Sequence, residues 1–347
     1  MKSLLKNFPT IKSLIYLVLV LLTAIGSIFG FIKFSVLSYL ESPMNSNADA
    51  FYYDFKSGSN LTNLVTDLEQ KNIITKPKYL LYYAMLNNKT RNLDSGIYKI
   101  DPKLTPIELL DMLDKGGVAA FNLRTNEGNT FKQMMISISL EKNLKHTLKN
   151  YSPESVMNAI GLKGKPYEGY FYPDTYNLPY GLKDTVFLTK AYREMEAILE
   201  QEWQNRDKSI ILKNKHELLT LASIIEKETT NPKERFDVSS VFHNRLKINM
   251  RLQADPTVIY GMGDKYKGNI RKKDLRTRTP FNTYRIYGLP PTPICMPGRK
   301  SINAAAHPND TNYLYFVATG NNKLHKFSAT YSEHRKAVNK YQRKRTR

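Results

Sequence analysis

One cysteine, Cys295, is present in 347 residues. No intramolecular disulfide can form, and a single thiolate cannot assemble a zinc site, so the fold rests on packing in whatever compartment it occupies. Set between prolines, Cys295 reads as a packed side chain rather than a nucleophile. Acidic residues are also in short supply: 31 Asp and Glu face 52 Lys and Arg, a formal charge of +21. That excess points to anionic partners without choosing among nucleic acid, lipid headgroups and other polyanions. The 6 histidines are scattered and none lies in an HExxH pattern. GxxxxGK[ST] and GxSxG are both absent, which sets aside zinc hydrolases, P-loop enzymes and serine hydrolases. No recognised DNA- or RNA-binding motif occurs. Hydrophobic residues at 41% and charged residues at 24% are ordinary for a globular chain, long enough for one large domain or two moderate ones.

What is present begins with Leu14 to Ile32, 19 residues without a charge. As a helix this run is about 28 Å long, close to a bilayer's hydrocarbon core. Lys2, Lys6 and Lys12 precede it, and after Lys33 no basic residue comes before Lys56. The positive-inside rule puts the N-terminus in the cytoplasm and the rest of the chain outside. A cleaved signal peptide is the rival, but the apolar run is long for one and no small-x-small site follows. Outward topology argues against nucleic acid as the anionic partner.

Residues 34–50 read as a linker. From 51 to 118 strands and helices alternate: YYDFKSG as a strand, a helix with Leu61, Leu64, Val65 and Leu68 on one face and an N-cap at Ser59 or Asn60, a helix starting at Pro77, GIYKIDP as a strand, and a helix opened by Thr105-Pro106 and closed by Gly116-Gly117. From 119 a strand leads to a turn at Glu127-Gly128, then a helical stretch from Asn129 or Thr130 to about Leu148. YEGYFYPDTYNLPYG reads as a loop. Helices are predicted over 183–206, 214–230 and 233–248, with one strand in NYLYFVATG and a last helix from about Ser332. The class is α+β, divided as 1–13 cytoplasmic, 14–33 transmembrane helix, 34–50 linker, 51–118 small subdomain and 119–347 larger mixed domain.

The sharpest chemical signal is HELLTLASIIEKETTNP. Leu219, Ala222 and Glu226 fall at i, i+3 and i+7, so Glu226 continues an apolar stripe. Such a carboxyl is either paired with a neighbour (Lys227, Lys233 and Arg235 are near in sequence) or is an acid tuned upward by partial burial. Glu228 points roughly the other way. Further on, Asn244 and Arg245 end an apolar helix face, Gln253 precedes Asp255, and Asp255 before Pro256 suits a helix cap. Asn282, Tyr284, Tyr287 and His307 stand among stiff prolines; rings and amides of this kind suit sugars, and packed loop aromatics are the plainer alternative.

The order LASIIEKET, SVFHNRLKINMRLQADPTVIYG, FNTYRIYGLPP, SINAAAHP and YLYFVA resembles the endolytic murein transglycosylases of the YceG-like type. The likeness is dense from about 215 to 330, and YEGYFYPDTY is similar to the family's EG-x-x-x-PDTY element at Glu168, Pro173 and Asp174. The chain departs from the family at Thr292, often Gly, and Met296, often Asn. The resemblance implies a small LysM-like subdomain at 51–118 and a catalytic YceG-like domain at 119–347. It implies Glu226 as the catalytic acid/base, with Glu228, Asn244, Arg245, Gln253, Asp255, Asn282, Tyr284 and His307 in the substrate cleft, and neither cofactor nor metal. The activity it implies is cleavage of MurNAc–GlcNAc bonds within peptidoglycan glycan strands, leaving 1,6-anhydro-MurNAc ends. The implied setting is the bacterial inner (cytoplasmic) membrane, single-pass with the catalytic domain periplasmic or extracytoplasmic, and the implied partners are glycan strands and wall-synthesis enzymes. The alternative is a non-catalytic peptidoglycan-binding scaffold of the wall-synthesis machinery.

Overall fold

A computed structural model describes residues 11–90, 93–320 and 324–342. Lys2 and Lys6, and the basic tail from 343, lie outside the described residues. The chain divides into two compact units, one of Met1–Phe121 with Pro179–Gly181, the other of Asn122–Leu178 with Leu182–Arg347.

The first unit opens with α1 (Ile11–Leu40). Its Leu14–Leu40 portion is long and apolar enough to cross a membrane, and residues 14–34 are exposed. The helix does not give way to a linker at residue 34: Leu40 is fully buried, and Val36 and Tyr39 pack on the unit's core. The Tyr39 hydroxyl accepts the Thr75 and Lys76 N–H groups at 3.1 and 3.0 Å. There follow β1 (Phe51–Phe55), α2 (Leu61–Gln70), α3 (Pro77–Leu86), β2 (Gly96–Ile100) and α4 (Pro106–Asp114). β1 and β2 pair antiparallel, with Tyr53 opposite Tyr98. The predicted caps are present: Asn60 opens α2 and Thr105 opens α4, each in a reciprocal capping box. Leu61, Leu64, Val65 and Leu68 are buried against Leu80, Tyr98, Leu109 and Leu113.

The second unit contains β3 (Ala120–Arg124) for most of its length, α5 (Phe131–Ser139), α6 (Pro153–Ala159), β4 (Thr175–Pro179), α7 (Asp184–Asn205), α8 (Lys215–Glu228), α9 (Arg235–Lys247), α10 (Asp255–Met262), α11 (Lys272–Arg276), α12 (Arg299–Ala306), β5 (Tyr315–Ala318), β6 (His325–Ser328) and α13 (Tyr331–Tyr341). α8 is the hub, packed against α7, α9, α10 and α12. Every residue from Leu218 to Ile225 is buried, so this helix is enclosed on all sides.

Three expectations need correction. The helical stretch drawn to Leu148 stops at Ser139. Beyond it the Thr147 and Leu148 N–H groups bond the Asp184 carboxylate at 3.0–3.3 Å, and Lys145 N–H bonds Leu182 O at 2.9 Å. Donors taken by distant acceptors cannot close helical turns. The stretch read as loop contains β4, whose Tyr176 and Leu178 alternate inward; the surrounding Pro, Tyr and Gly hid that period. The strand in NYLYFVATG is only Tyr315–Ala318, and it pairs antiparallel with β6, which its polar HKFS sequence did not announce.

Asp184 is fully buried. Burial pushes its pKa up, but hydrogen bonds from Thr147, Tyr151 and Leu148 outweigh that and hold it below the ordinary value. Asp184→Ala strands several buried donors and is expected to cost about 3 kcal/mol in urea unfolding at pH 7. Because the folded pKa is depressed, the wild-type advantage is present above about pH 4 and is lost as pH falls through the lower folded value. A difference between the two proteins that does not shrink on acidification rules this out.

Candidate functional site

α8 begins at Asn214, whose side chain accepts the Glu217 N–H at 2.9 Å, and it ends where Thr229 turns extended ahead of Asn231-Pro232. The site candidates sit on that last turn. Lines of backbone from elsewhere are pinned along the helix. Ser223 Oγ accepts the Ile294 N–H at 3.0 Å, and Cys295 Sγ donates to Ser223 O at 3.3 Å. Cys295 is fully buried, and burial raises its pKa, so the thiol packs as expected and is not activated. The Gly128 N–H and Met296 O, and the Met296 N–H and Asn129 O, bond reciprocally at 2.8 Å. Gly169 adopts φ +83°, and a β-carbon there would stand 2.6 Å from Pro293 Cβ. Glycine at that point lets Glu168 reach the start of α5, where Oε1 accepts the Phe131 N–H and Oε2 the Tyr260 hydroxyl, both at 2.9 Å.

Two groups of charged residues emerge. In the first, the Glu226 side chain is 7% exposed. Its Oε1 accepts from Arg235 Nη2 at 3.3 Å, and its Oε2 accepts the Gly298 N–H at 3.0 Å. The pairing considered from sequence is therefore made, with Arg235. Each carboxylate oxygen has two lone pairs, so these donors orient the group and leave acceptor positions for a ligand.

In the second group, Glu228 is pushed up to about 8, first by burial and then by the nearby Asp255, with Arg245 opposing. At neutral pH this carboxyl holds its proton. The Tyr284 hydroxyl donates to Asp255 Oδ1 at 2.6 Å. The helix-cap role expected of Asp255 is not what the structure has: Ala254 is the cap residue of α10, without a side-chain bond. Thr283 Oγ1 instead receives the Ala254 N–H at 2.9 Å. Gln253 is exposed and holds φ +50°, a left-handed backbone that a non-glycine residue keeps only under constraint.

The remaining predicted residues are chiefly ties. Asn244 Nδ2 donates to Thr311 O and Tyr313 O at 2.7 and 3.0 Å. Arg245 donates to Leu314 O at 2.7 Å and Leu252 O at 2.5 Å, with its guanidinium 5.6 Å from the Tyr315 ring. Asn282 is buried and donates to the carbonyls of Asp274, Leu275 and Thr277, closing the end of α11. His307 caps the far end of α12 from Gly298 and is not brought to Glu226. Tyr287 is exposed beneath the Arg251 guanidinium.

A cleft of about 1090 Å³ is lined by Phe131, Tyr151, Tyr167, Tyr260 and Tyr266 among others, and Glu226 is not part of that lining. The sequence did not mark these rings as a group, although the YEGYFYPDTY and DPTVIY segments carry two of them, Tyr167 and Tyr260. Among the described residues, no group of three or more His, Cys, Asp and Glu side chains is placed to hold a metal ion.

A mixed α+β chain with one apolar N-terminal helix, and with two carboxyls in separate settings on the last turn of an enclosed helix, is thus the class that the fold and site define. The YceG-like family model matches residues 53–340, and the chain belongs to that family. It is 33% identical over 326 residues to a Bacillus subtilis protein named endolytic murein transglycosylase, covering 88% of each chain. A Streptococcus pneumoniae protein of the same name is 27% identical; the match takes in 87% of this chain but 60% of that longer one. The crystal structure of a yceG-like protein of Listeria monocytogenes superposes with a TM-score of 0.51 at 31% identity, over 83% of this chain and 98% of the other.

Proposed function

We propose that this chain is a peptidoglycan lytic transglycosylase that cuts MurNAc–GlcNAc bonds within glycan strands and leaves 1,6-anhydro-MurNAc ends, limiting strand length during wall synthesis. The observation that carries the proposal is the position of Glu226, a nearly enclosed carboxyl on the last turn of α8, in a chain whose Bacillus relative is named endolytic murein transglycosylase. α1 anchors it in the cytoplasmic membrane with the N-terminus inside. Residues 51–118 serve as a LysM-like glycan-binding module, and 119–347 form the catalytic domain beside wall-synthesis enzymes.

Glu226 in its protonated form gives its proton to the glycosidic oxygen as the C1–O bond breaks. The resulting carboxylate takes the proton of the muramic C6 hydroxyl, and O6 bonds to C1 to close the anhydro ring. Glu226 returns to its starting state, and water is not consumed. Ring closure is favoured because the nucleophile is tethered to the reacting sugar. Two-carboxylate hydrolysis would need a second group to activate water. Arg235 and the Gly298 N–H orient the carboxyl, and Glu228, Asn244, Arg245, Gln253, Asp255, Asn282, Tyr284 and His307 shape or support the cleft. The Glu226–Arg235 pair also favours a second reading, a binding scaffold in which the carboxyl is structural. Mass spectrometry separates the two: full-length protein in detergent, given uncrosslinked glycan strands, should release anhydro-ended fragments. No turnover, or fragments ending only in water-added sugars, defeats the proposal.

A further inference from the structure

The net charge of +21 finds no use in the reaction above. One stretch concentrates it: residues 263–279 carry 7 Lys and Arg against 2 Asp. Four of those cations, Lys265, Lys267, Arg271 and Lys273, line a cavity of about 500 Å³ beside α10 and α11. All four residues are exposed, so the cavity is reachable from solvent. Among the described residues none of the four is in an ion pair, and the two acids of the stretch are engaged elsewhere. Asp264 pairs with Lys132 at 2.9 Å. Asp274, the acid of the lining, accepts the Arg271 N–H at 2.8 Å. Like charges around one hollow repel each other, and a concave surface focuses their field on an incoming anion.

The walls of this cavity are fixed. Asn282, 1% exposed, donates to the carbonyls of Asp274, Leu275 and Thr277 and so holds α11 in place. A β-carbon at Gly261 would stand 2.8 Å from Thr279 Oγ1, so the glycine lets residue 279 close against α10. Thr279 belongs to the lining, and its Oγ1 is buried without a hydrogen-bond partner among the described residues. A buried hydroxyl left unsatisfied is a donor with no acceptor of its own. Lys267 also lines the neighbouring cleft of tyrosines. The two hollows meet there, so a ligand seated on the cations has rings beside it, and ring faces suit a sugar or polyol. Phosphate suits the cations themselves: its oxygens accept from several donors at once, from the arginine fork and from lysine as a point charge.

We propose that this cavity binds the phosphate of a sugar or polyol phosphodiester, held by Lys265, Lys267, Arg271 and Lys273 with the Thr279 hydroxyl as an added donor. The binding is non-covalent and does not depend on Glu226, so it stands or falls apart from the lytic reaction.

The test is calorimetric titration of the full-length protein in neutral detergent with a glycerol phosphate oligomer, at about 0.15 M salt. Parallel arms use a water-soluble short-chain phosphatidylglycerol, which presents the same group on a lipid, and an oligoglutamate of equal charge. The phosphodiester should bind and the oligoglutamate should bind clearly less well. Arg271→Ala and Lys273→Ala should each weaken the phosphodiester about tenfold, the loss of one charge-assisted bond. Lys272→Ala removes the same charge from the same helix outside the lining, and should change affinity little. Thr279→Val keeps shape and charge, and should weaken binding without altering its salt dependence. Absence of binding to either phosphodiester overturns the proposal. So does an equal loss in Lys272→Ala, the mark of diffuse attraction, and so does an oligoglutamate that binds as tightly. Binding of the oligomer alone, or of the lipid alone, supports the site and identifies where its phosphate comes from.

Discussion

Glu226→Gln is expected to fold as the parent does and to release anhydro-ended fragments about 10²–10⁴-fold more slowly, the usual worth of a positioned acid. The amide keeps the shape of the side chain and one acceptor for the Gly298 N–H or for Arg235. What it lacks is the proton. Glu226→Ala is the poorer choice, because it would leave Arg235, 6% exposed, as an uncompensated buried charge and mix folding with chemistry. Single-turnover rates beside a melting curve make the measurement. Parental turnover in Glu226→Gln removes the assignment. If Glu228→Gln were the inactive variant instead, the acid would be the carboxyl two residues on.

Glu228→Gln should stabilise the protein, and by more as the solution is made alkaline. The Glu228 pKa is pushed up to about 8 in the folded state, against about 4.3 in an unfolded chain. A raised carboxyl favours the fold while it is protonated. Relative to acid solution that stability erodes as pH rises past the unfolded value, and the erosion is complete above the folded one. At 1.36 kcal/mol per unit the total is about 3–5 kcal/mol. The neutral amide has no such loss, so the two proteins should unfold at similar urea concentrations near pH 4 and diverge by pH 9. Equal stability at both ends of that range would mean that Glu228 is ionised in the fold as easily as in water. A carboxyl that weakens the fold at neutral pH, beside Asp255 and Arg245, is the kind of local conflict that functional sites carry.

Much of the architecture could be read from periodicity. Leu61, Leu64, Val65 and Leu68 recur at helical spacing and are buried together. The caps at Asn60, Thr105 and Thr130 lie within three residues of the groups they bond. Local patterns of this sort are legible because cause and effect are neighbours in the chain. β4 was hidden because proline and glycine around it look like loop, although Tyr176 and Leu178 alternate within. The non-helical course of residues 145–148 was hidden because the groups that fix it, Leu182 and Asp184, lie far along the sequence. The site shows the same division. Glu226 stood out through its own helix. Asn244, Arg245 and Asn282 could be picked out, but not as ties to carbonyls, since Arg245 meets Leu314 69 residues away. Lys265, Lys267, Arg271 and Lys273 were visible only as part of the net charge, because the cavity they line depends on Gly261 meeting Thr279 across a loop.

The last turn of α1 belongs to two things at once, since the helix that is apolar enough for a bilayer also delivers Leu40, Val36 and Tyr39 into the hydrophobic centre of the first unit. No linker separates the apolar rod from the first unit, because one continuous helix serves both. Trimming the chain just after residue 40 to make it water-soluble would pull a plug from the first unit, whereas a cut upstream of Val36 would spare it.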